Sequence, residues 1–457
     1  MIAGVFAGCA KEDSPGGSNP GGAAARANAD TSADNVINVW SFTEEIPNML
    51  RRYTELNPDF PYTLNFTVIA TTDGSYQPAL DLALQNGGSD TPHIYAAEAA
   101  FVVKYTSGSA SSFAATFAEL GIDVSKVDTA RIATYAKEIG TRGGAVVGLP
   151  YQATGGAYIY RRSIAKEVFG TDDPAEIKNI IGPGWDKFMS AAAELKANGY
   201  AIVSGVGDVW HPMKAGAKDG WVVNDKLVLD PARENLLDIG KQLYDNNYMN
   251  NTEDWQEGWF ADMIDQGPQP VFGYFGPAWF VNYVMNGHVD DYTFGDWAIC
   301  EPTVGFSWGG TWVLGNGNAN SDKKNDIGKL IEWITLDTTD DGLQYKWANG
   351  NLFEGSAMFP EDAQKFADGD FTKDTVASAV VMDRSNGEVS VLGGQNMFDI
   401  FIPAGANATG ANMTEYDEQI QAIWRDQVNL YIAGEKDRDA AIADFKQLVE
   451  DELGFGS

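Results

Sequence analysis

Cysteine and histidine are scarce. The 457 residues hold two Cys, Cys9 and Cys300, and three His. Two cysteines cannot make a disulfide framework, and three scattered histidines exclude a His-rich metal cluster. Basic residues are also few: 31 Lys plus Arg stand against 64 Asp plus Glu, a formal net charge of −33. Such a surface repels phosphate backbones and anionic headgroups, which excludes nucleic acid as a partner and polybasic docking on a membrane. Past the N-terminus, no apolar run approaches the roughly 20 residues that span a bilayer. GxSxG, GxxxxGK[ST], HExxH and a strand–GxGxxG–helix unit are all missing, and with them the commonest signatures of hydrolase, nucleotide and metalloprotease chemistry. NANSDKKND (318–326) carries oxygen ligands, but it lacks EF-hand order and its lysines oppose a cation. No metal and no cofactor is expected. Cys300, inside WAICEPTVGF, reads as a small buried hydrophobe. Carboxylates are so abundant that near pairs occur by chance, so none marks a glycoside-hydrolysis site.

The remainder is globular. Hydrophobic residues make up 44% and charged residues 21%, a folded and not a disordered balance. The length exceeds what one compact core supports, so two lobes are expected. At the N-terminus, MIAGVFAG leads through Ala7 and Gly8 into Cys9. This is similar to the end of a bacterial lipoprotein signal. Residues 1–9 are therefore expected to be a truncated signal with Cys9 lipidated. Residues 10–34, rich in Gly, Ser, Pro, Ala and Asp, are expected to be a flexible linker.

Periodicity predicts α/β structure. VINVWSF (36–42) suits a buried strand, and Ile46, Met49, Leu50, Tyr53 and Leu56 recur at helical spacing before Pro58. Tyr62, Leu64, Phe66, Val68 and Ala70 alternate as in a strand. A helix over 76–86 and a strand over 92–97 follow. This βαβαβ order predicts a parallel sheet with helices on both faces. Further helices are expected over 185–199, 326–336 and 416–431, and a last one from an Asp439 cap to Gly454.

Aromatic and small polar residues gather at predicted strand ends, where open α/β sheets bind ligands. Trp40, Ser41, Phe42 and Thr43 close the first strand; Thr71, Thr72 and Asp73 follow the second; Glu98 follows the third. Asp208, Trp210 and His211 follow AIVSGVG, and Trp279 follows VFGYFGPA. Trp308, Gly309, Gly310 and Trp312 cluster, and Gln395 and Asn396 follow VSVL. Sugar rings stack their C–H faces on Trp or Tyr, and their hydroxyls pair with Asp, Glu, Asn, Gln and Thr. A single Trp is more often core. Several beside Gly and Asp are better explained by a ligand, since Gly opens the backbone to it.

NVINVWSFTEEIPNMLRRY, DTPHIYAAEAAFV, LPYQATGGAYIYRRSI (149–164), EPTVGFSWGGTWVLGN (301–316) and the C-terminal YIAGEKDRDAAIADFKQLVEDEL together resemble the solute-binding proteins of ABC transporters. The nearest resemblance is to the sugar-binding branch, the maltose-binding protein family. It implies the two-lobed periplasmic-binding-protein fold. Each lobe is a doubly wound, mostly parallel sheet, and the ligand cleft lies between lobes that close by a hinge. Residues 35–151 and 304–350 would form the N-terminal lobe, and 155–300 and 352–457 the C-terminal lobe. LPYQATGGAYIYRRSI and EPTVGFSWGGTWVLGN would be the crossings. By the same resemblance Glu98, Asp208, Trp210, Trp279, Gln395 and Asn396 would contact ligand; Trp308, Phe42, Thr43, Thr154, Gly310 and His211 are further candidates for the binding site. Thr154 stands where the maltose-binding family has Glu, which argues against maltose specificity.

The expected function is a lipid-anchored binding protein on the extracellular face of a bacterial cytoplasmic membrane. It would be monomeric and not an enzyme, delivering a neutral oligosaccharide to an ABC permease. The sugar would be at least a disaccharide; β-galactosyl or N-acetylhexosamine oligosaccharides, α-galactosides and xylo-oligosaccharides are the candidates. A carbohydrate-active enzyme such as a glycoside hydrolase, or a surface lectin, is the alternative. A peptide, polyamine or metal ligand is a weaker one.

Overall fold

The computed structural model describes residues 29–72, 74–352 and 373–457. Cys9, most of the expected linker and Asp73 lie outside them, as do residues 353–372 of the expected second lobe.

The larger sheets are built from β1 (Val36–Ser41), β2 (Thr63–Val68), β3 (Ile94–Glu98), β4 (Gly148–Pro150), β5 (Ala157–Arg161), β6 (Gly273–Gly276), β7 (Trp297–Cys300) and β8 (Thr311–Gly315). The first sheet runs β2-β1-β3-β8-β4. β1 is parallel to β2 and β3, as the βαβαβ order predicts, while β8 returns antiparallel between β3 and β4. α1 (Glu45–Leu56) buries Ile46, Met49 and Leu50, and α2 (Tyr76–Asn86) buries Tyr76, Leu80 and Leu84, one turn apart.

The second sheet departs from the mostly parallel pattern. β5 lies between β6 and β7 and is antiparallel to both. Parallel pairing there is carried by isolated bridges, Ala201↔Val271 and Val203↔Met249. Helices α3 (Trp185–Ala197), α4 (Val206–Ala215), α5 (Pro231–Asp245), α6 (Ser321–Thr335), α7 (Asp417–Ile432) and α8 (Arg438–Leu453) complete the frame used below. α8 is capped by Asp437, which accepts from Ala440 N–H at 2.8 Å, and not by Asp439. VSVL forms a 3₁₀ turn (Ser390–Leu392), not a strand.

The chain passes between the sheets at 151–156, from β4 to β5, and at 301–310, from β7 to β8. These crossings are hydrogen-bonded to each other: Gly156 N–H donates to Phe306 O (2.8 Å) and Trp308 N–H to Thr154 O (3.0 Å). A third segment joins them, with Ala377 N–H on Tyr151 O (3.0 Å) and Thr375 Oγ1–H on Ala153 O (2.7 Å). Buried apolar side chains form two clusters. One surrounds the first sheet, includes 376–408 and runs on to Tyr274, Trp297 and Ile299 beyond the crossings. The other joins α3, α4 and α5 to the C-terminal pair α7 and α8.

The expected linker ends earlier than residue 34. Asp30 and Ser32 are buried and locked to the first sheet. Ser32 Oγ–H and N–H donate to Asp30, and Lys323 Nζ donates to Ser32 Oγ (2.6 Å). Asn38 N–H donates to His93 Nδ1 (2.7 Å), so the ring proton sits on Nε2 and points to Asp30 Oδ2 (3.0 Å). Burial opposes ionising Asp30, but hydrogen bonds from Ser32, His93 and Asn320 bring it down to about 2. Serine, histidine and aspartate meet here as in a hydrolytic triad, yet Nε2 holds a proton and cannot take one from Ser32. This is a clamp, not a catalytic centre.

Candidate functional site: a cavity between the two sheets

A cavity of about 440 Å³ opens where the first sheet faces α4 and α7. From the first sheet, Glu98 stands at the end of β3, in register with Thr311 of β8, and Ala99 N–H is held by Gly310 O (2.9 Å). From the crossing come Ser307, Trp308 and Gly309; from α4 come Trp210, His211 and Lys214; from α7 come Asp417, Glu418, Gln421 and Arg425. Trp255, on the loop after Asn250, completes the wall.

The aromatic wall is built in layers. His211 stacks on Trp308 with ring centroids 4.1 Å apart and planes 20° apart. Trp279 meets Trp308 edge-on at 4.8 Å and donates its Nε1–H to Trp308 O (3.0 Å). Trp255 lies against Trp279, 6.0 Å away and 14° from parallel.

Charges in the cavity are mixed. Arg425 pairs with Asp254 at 2.6 Å. Lys214 Nζ donates to Gln421 (3.2 Å), and burial brings its ammonium down to about 8, against the pull of Asp417 and Glu98. Burial pushes the Glu98 carboxyl up to about 7 although it accepts Ala100 N–H at 2.7 Å. Burial, with Lys214 and Arg425 nearby, holds His211 well below the imidazole range, so the ring is neutral. Its Nδ1 is buried without a partner, and so are Nε and Nη1 of Arg233, which lies on the Trp221 face at the cavity floor. Buried polar atoms are normally paired, so such atoms lining a cavity mark where a polar ligand fits. The arrangement offers donors, acceptors and flat apolar faces together, with no dominant charge.

No protein-family model matches the sequence, and no curated protein matches it. Solved structures match the fold. An extracellular solute-binding protein of family 1 superposes with a TM-score of 0.70 at 15% identity, over 91% of this chain and 99% of that one. The galacto-N-biose/lacto-N-biose I-binding protein of an ABC transporter from Bifidobacterium longum, in complex with lacto-N-biose, gives 0.63 at 15%, over 92% and 98%. The sugar-binding protein MalE from Xanthomonas citri gives 0.65 at 13%, over 92% and 97%. The chain has the two-lobed fold of the extracellular solute-binding proteins.

Within this solute-binding-protein fold, six of the residues singled out in the sequence line the cavity: Glu98, Trp210, His211, Trp308, Gly309 and Trp312. Trp210 and His211 do so from helix α4, not from a strand end. Trp279 stands behind the wall, supporting Trp255 and Trp308. Asp208 is turned inward: Oδ2 accepts Ser204 and Gly205 N–H (both 2.9 Å) and Oδ1 accepts Trp259 Nε1–H (2.9 Å). It caps α4 and does not line the cavity. Thr154 is buried in the crossing, its Oγ1–H on Gly309 O (3.0 Å). Gly310 takes φ 110°, a conformation that favours glycine, where the crossing enters β8. Gln395 seals the edge of β7, accepting Ile299 N–H and donating to Ile299 O, both at 2.9 Å. Asn396 Oδ1 accepts Phe398 N–H (3.1 Å). Phe42 packs edge-on against Tyr76 (5.6 Å), and Thr43 N–H donates to Ser41 Oγ (3.3 Å). None of these eight lines the cavity. Cys300 is fully buried and burial raises its thiol, as a hydrophobe's position requires.

The sequence reading missed Lys214, Arg233, Asp254, Trp255, Glu418 and Arg425. A signal existed for α7: Glu418, Gln421, Ala422 and Arg425 repeat at helical spacing on the face away from Ile420, Trp424 and Val428.

Buried carboxyls set a pH dependence. Burial raises Glu98, Asp208 and Asp374 to about 7 and Asp262 to about 6. Each keeps its proton in the folded chain where the unfolded chain, with carboxyls near about 4, has lost it. This contribution is fully present below about pH 4 and is lost as pH rises through about 7. The protein should therefore melt a few degrees higher at about pH 5.5 than at about pH 8. Thermal unfolding across that range checks it, and a melting temperature that rises with pH contradicts it.

Proposed function

We propose that this chain is a sugar-capturing solute-binding protein of an ABC transporter, taking a neutral oligosaccharide and delivering it to a permease by hinge closure. The observation that carries this reading is the cavity between the sheets, where Trp210, Trp308 and stacked His211 face Glu98 across a near-balanced set of charges. A neutral polyhydroxylated ring needs aromatic faces with both donors and acceptors, while a strongly charged ligand would need one sign in excess. The solved neighbours support it, one of them holding lacto-N-biose. Closure requires a ligand that touches both halves, and this cavity takes its wall from both. The crossings at 151–156 and 301–310 are the proposed hinge, between a lobe of 35–151 with 304–350, against which 376–408 pack, and a lobe of 155–300 with α7 and α8.

Glu98, Trp210, His211 and Trp308 are the proposed contacts, joined by Lys214 and Arg425. Asp208, Thr154, Gly310, Gln395 and Trp279 are proposed to support them. Lipidation at Cys9 and residence on the outer face of the cytoplasmic membrane belong to the same proposal. Among the described residues, no helix is long and apolar enough to cross a membrane.

A second reading, a glycoside hydrolase, has in its favour that Glu98 and Glu418 share the cavity and burial raises both. Thermal unfolding in the presence of neutral mono- and oligosaccharides separates the two. A native-state ligand adds about 2.7 kcal/mol at a hundredfold excess over Kd. A raised melting temperature with intact sugar is the expected result. New reducing ends would favour the hydrolase, and no shift with any sugar would sink the saccharide reading.

A further inference from the structure

Trp255 has a backbone that tryptophan rarely adopts. Its φ is 69°, in the left-handed region. Among the described residues, the other non-glycine positions with positive φ are Asn or Asp, which tolerate it, apart from Arg131. For a large aromatic this conformation is strained, and strain persists only where the surroundings impose it. They do so here. Asn250 N–H and Thr252 N–H both donate to Ser204 O (3.1 and 3.2 Å), holding the loop to the start of α4. One residue before Trp255, Asp254 is tied to Arg425 of α7. The indole itself is set by Trp279 (6.0 Å, 14°), Trp259 (5.5 Å, 43°) and Trp308 (6.2 Å, 74°). Yet 49% of the residue stays exposed, beside a cavity whose other tryptophans are mostly covered. Packing alone would favour a buried ring on a relaxed backbone.

We infer that Trp255 is the platform at the cavity mouth on which a saccharide ring stacks, aimed there by the strained loop 250–256. This rests on the saccharide reading proposed above and adds a residue to it. Trp279, the stacking residue expected from the sequence, acts one layer deeper, as the support that fixes Trp255.

The test uses the unaltered protein with Trp255→Gly, Trp255→Ala and Trp255→Phe, titrated calorimetrically with the oligosaccharide that gives the largest thermal shift. Trp255→Gly and Trp255→Ala should each weaken binding about tenfold or more, and Trp255→Phe less than either. Trp255→Gly should melt above Trp255→Ala, because glycine accepts the positive φ and alanine does not. Affinity unchanged in the folded Gly and Ala variants overturns the platform. An Ala variant that melts at or above the Gly variant overturns the strain argument. If the unaltered protein binds no saccharide, the functional proposal fails and this inference falls with it.

Discussion

Trp308→Ala is expected to weaken saccharide binding by about 2 kcal/mol or more, roughly thirtyfold in Kd. Trp308 touches more of the aromatic wall than any of its neighbours. His211 stacks on it, and Trp279 and Trp255 both meet its ring. Its main chain belongs to the crossings and survives substitution: the N–H stays on Thr154 O, and the carbonyl still accepts from Trp279 Nε1. Loss of the indole thus removes an apolar face and frees the His211 ring, whose Nδ1 is already unpaired, while the connection between the sheets remains. Calorimetric titration of the folded variant decides it. Binding as tight as in the unaltered protein would remove Trp308 from the site.

Gly156→Ala is expected to destabilise the fold by about 3 kcal/mol, the upper end of what overpacking costs. A Cβ at Gly156 would stand 1.9 Å from Phe306 Cζ and 2.1 Å from Cε2. Phe306 is fully buried and cannot swing aside, and its own carbonyl accepts Gly156 N–H at 2.8 Å. The methyl group and the hydrogen bond cannot both be kept, so the crossings must part. Since these strands are the proposed hinge, ligand affinity should fall with stability. Denaturant unfolding with a titration on the same sample measures both. A variant as stable as the parent would show that the crossing tolerates displacement.

The frame of the first lobe was legible because its signals are local. The β-branched run at 36–41 and the apolar spacing of α1 and α2 depend only on a strand's period of two and a helix's period of 3.6. The crossings were legible only through the resemblance of 149–164 and 301–316 to the interlobe segments of sugar-binding solute-binding proteins. Errors came where a local signal has two outcomes. VSVL is apolar enough for a strand but short enough for a turn. Asp437 and Asp439 are both good caps, and only the α8 backbone selects the first.

The site was less legible. Asp208 beside Trp210 looks like a sugar-binding pair on paper. In the fold Asp208 satisfies three N–H donors, those of Ser204, Gly205 and the Trp259 indole, and of the pair only Trp210 lines the cavity. Trp255 gave no periodic signal because it lies in a loop, and its conformation is imposed by Ser204 and Arg425, residues far off in sequence. Arg425 and Glu418 come to the site only because α7 is packed across from β3.

By itself the sequence determined the α/β class, the expectation of two lobes, the places where the chain crosses between sheets, and a stock of aromatic and carboxylate side chains suited to sugars. The class, the lobes and the stock follow from composition or short-range periodicity, and the crossings from the resemblance of 149–164 and 301–316 to a known family. Only the tertiary structure decided which aromatics face the cavity, which carboxylates are spent on capping, and which charges are buried together. Those outcomes depend on contacts outside any one helix or strand, many between segments far apart in sequence, where burial and hydrogen-bond partners, not residue type, set a side chain's role.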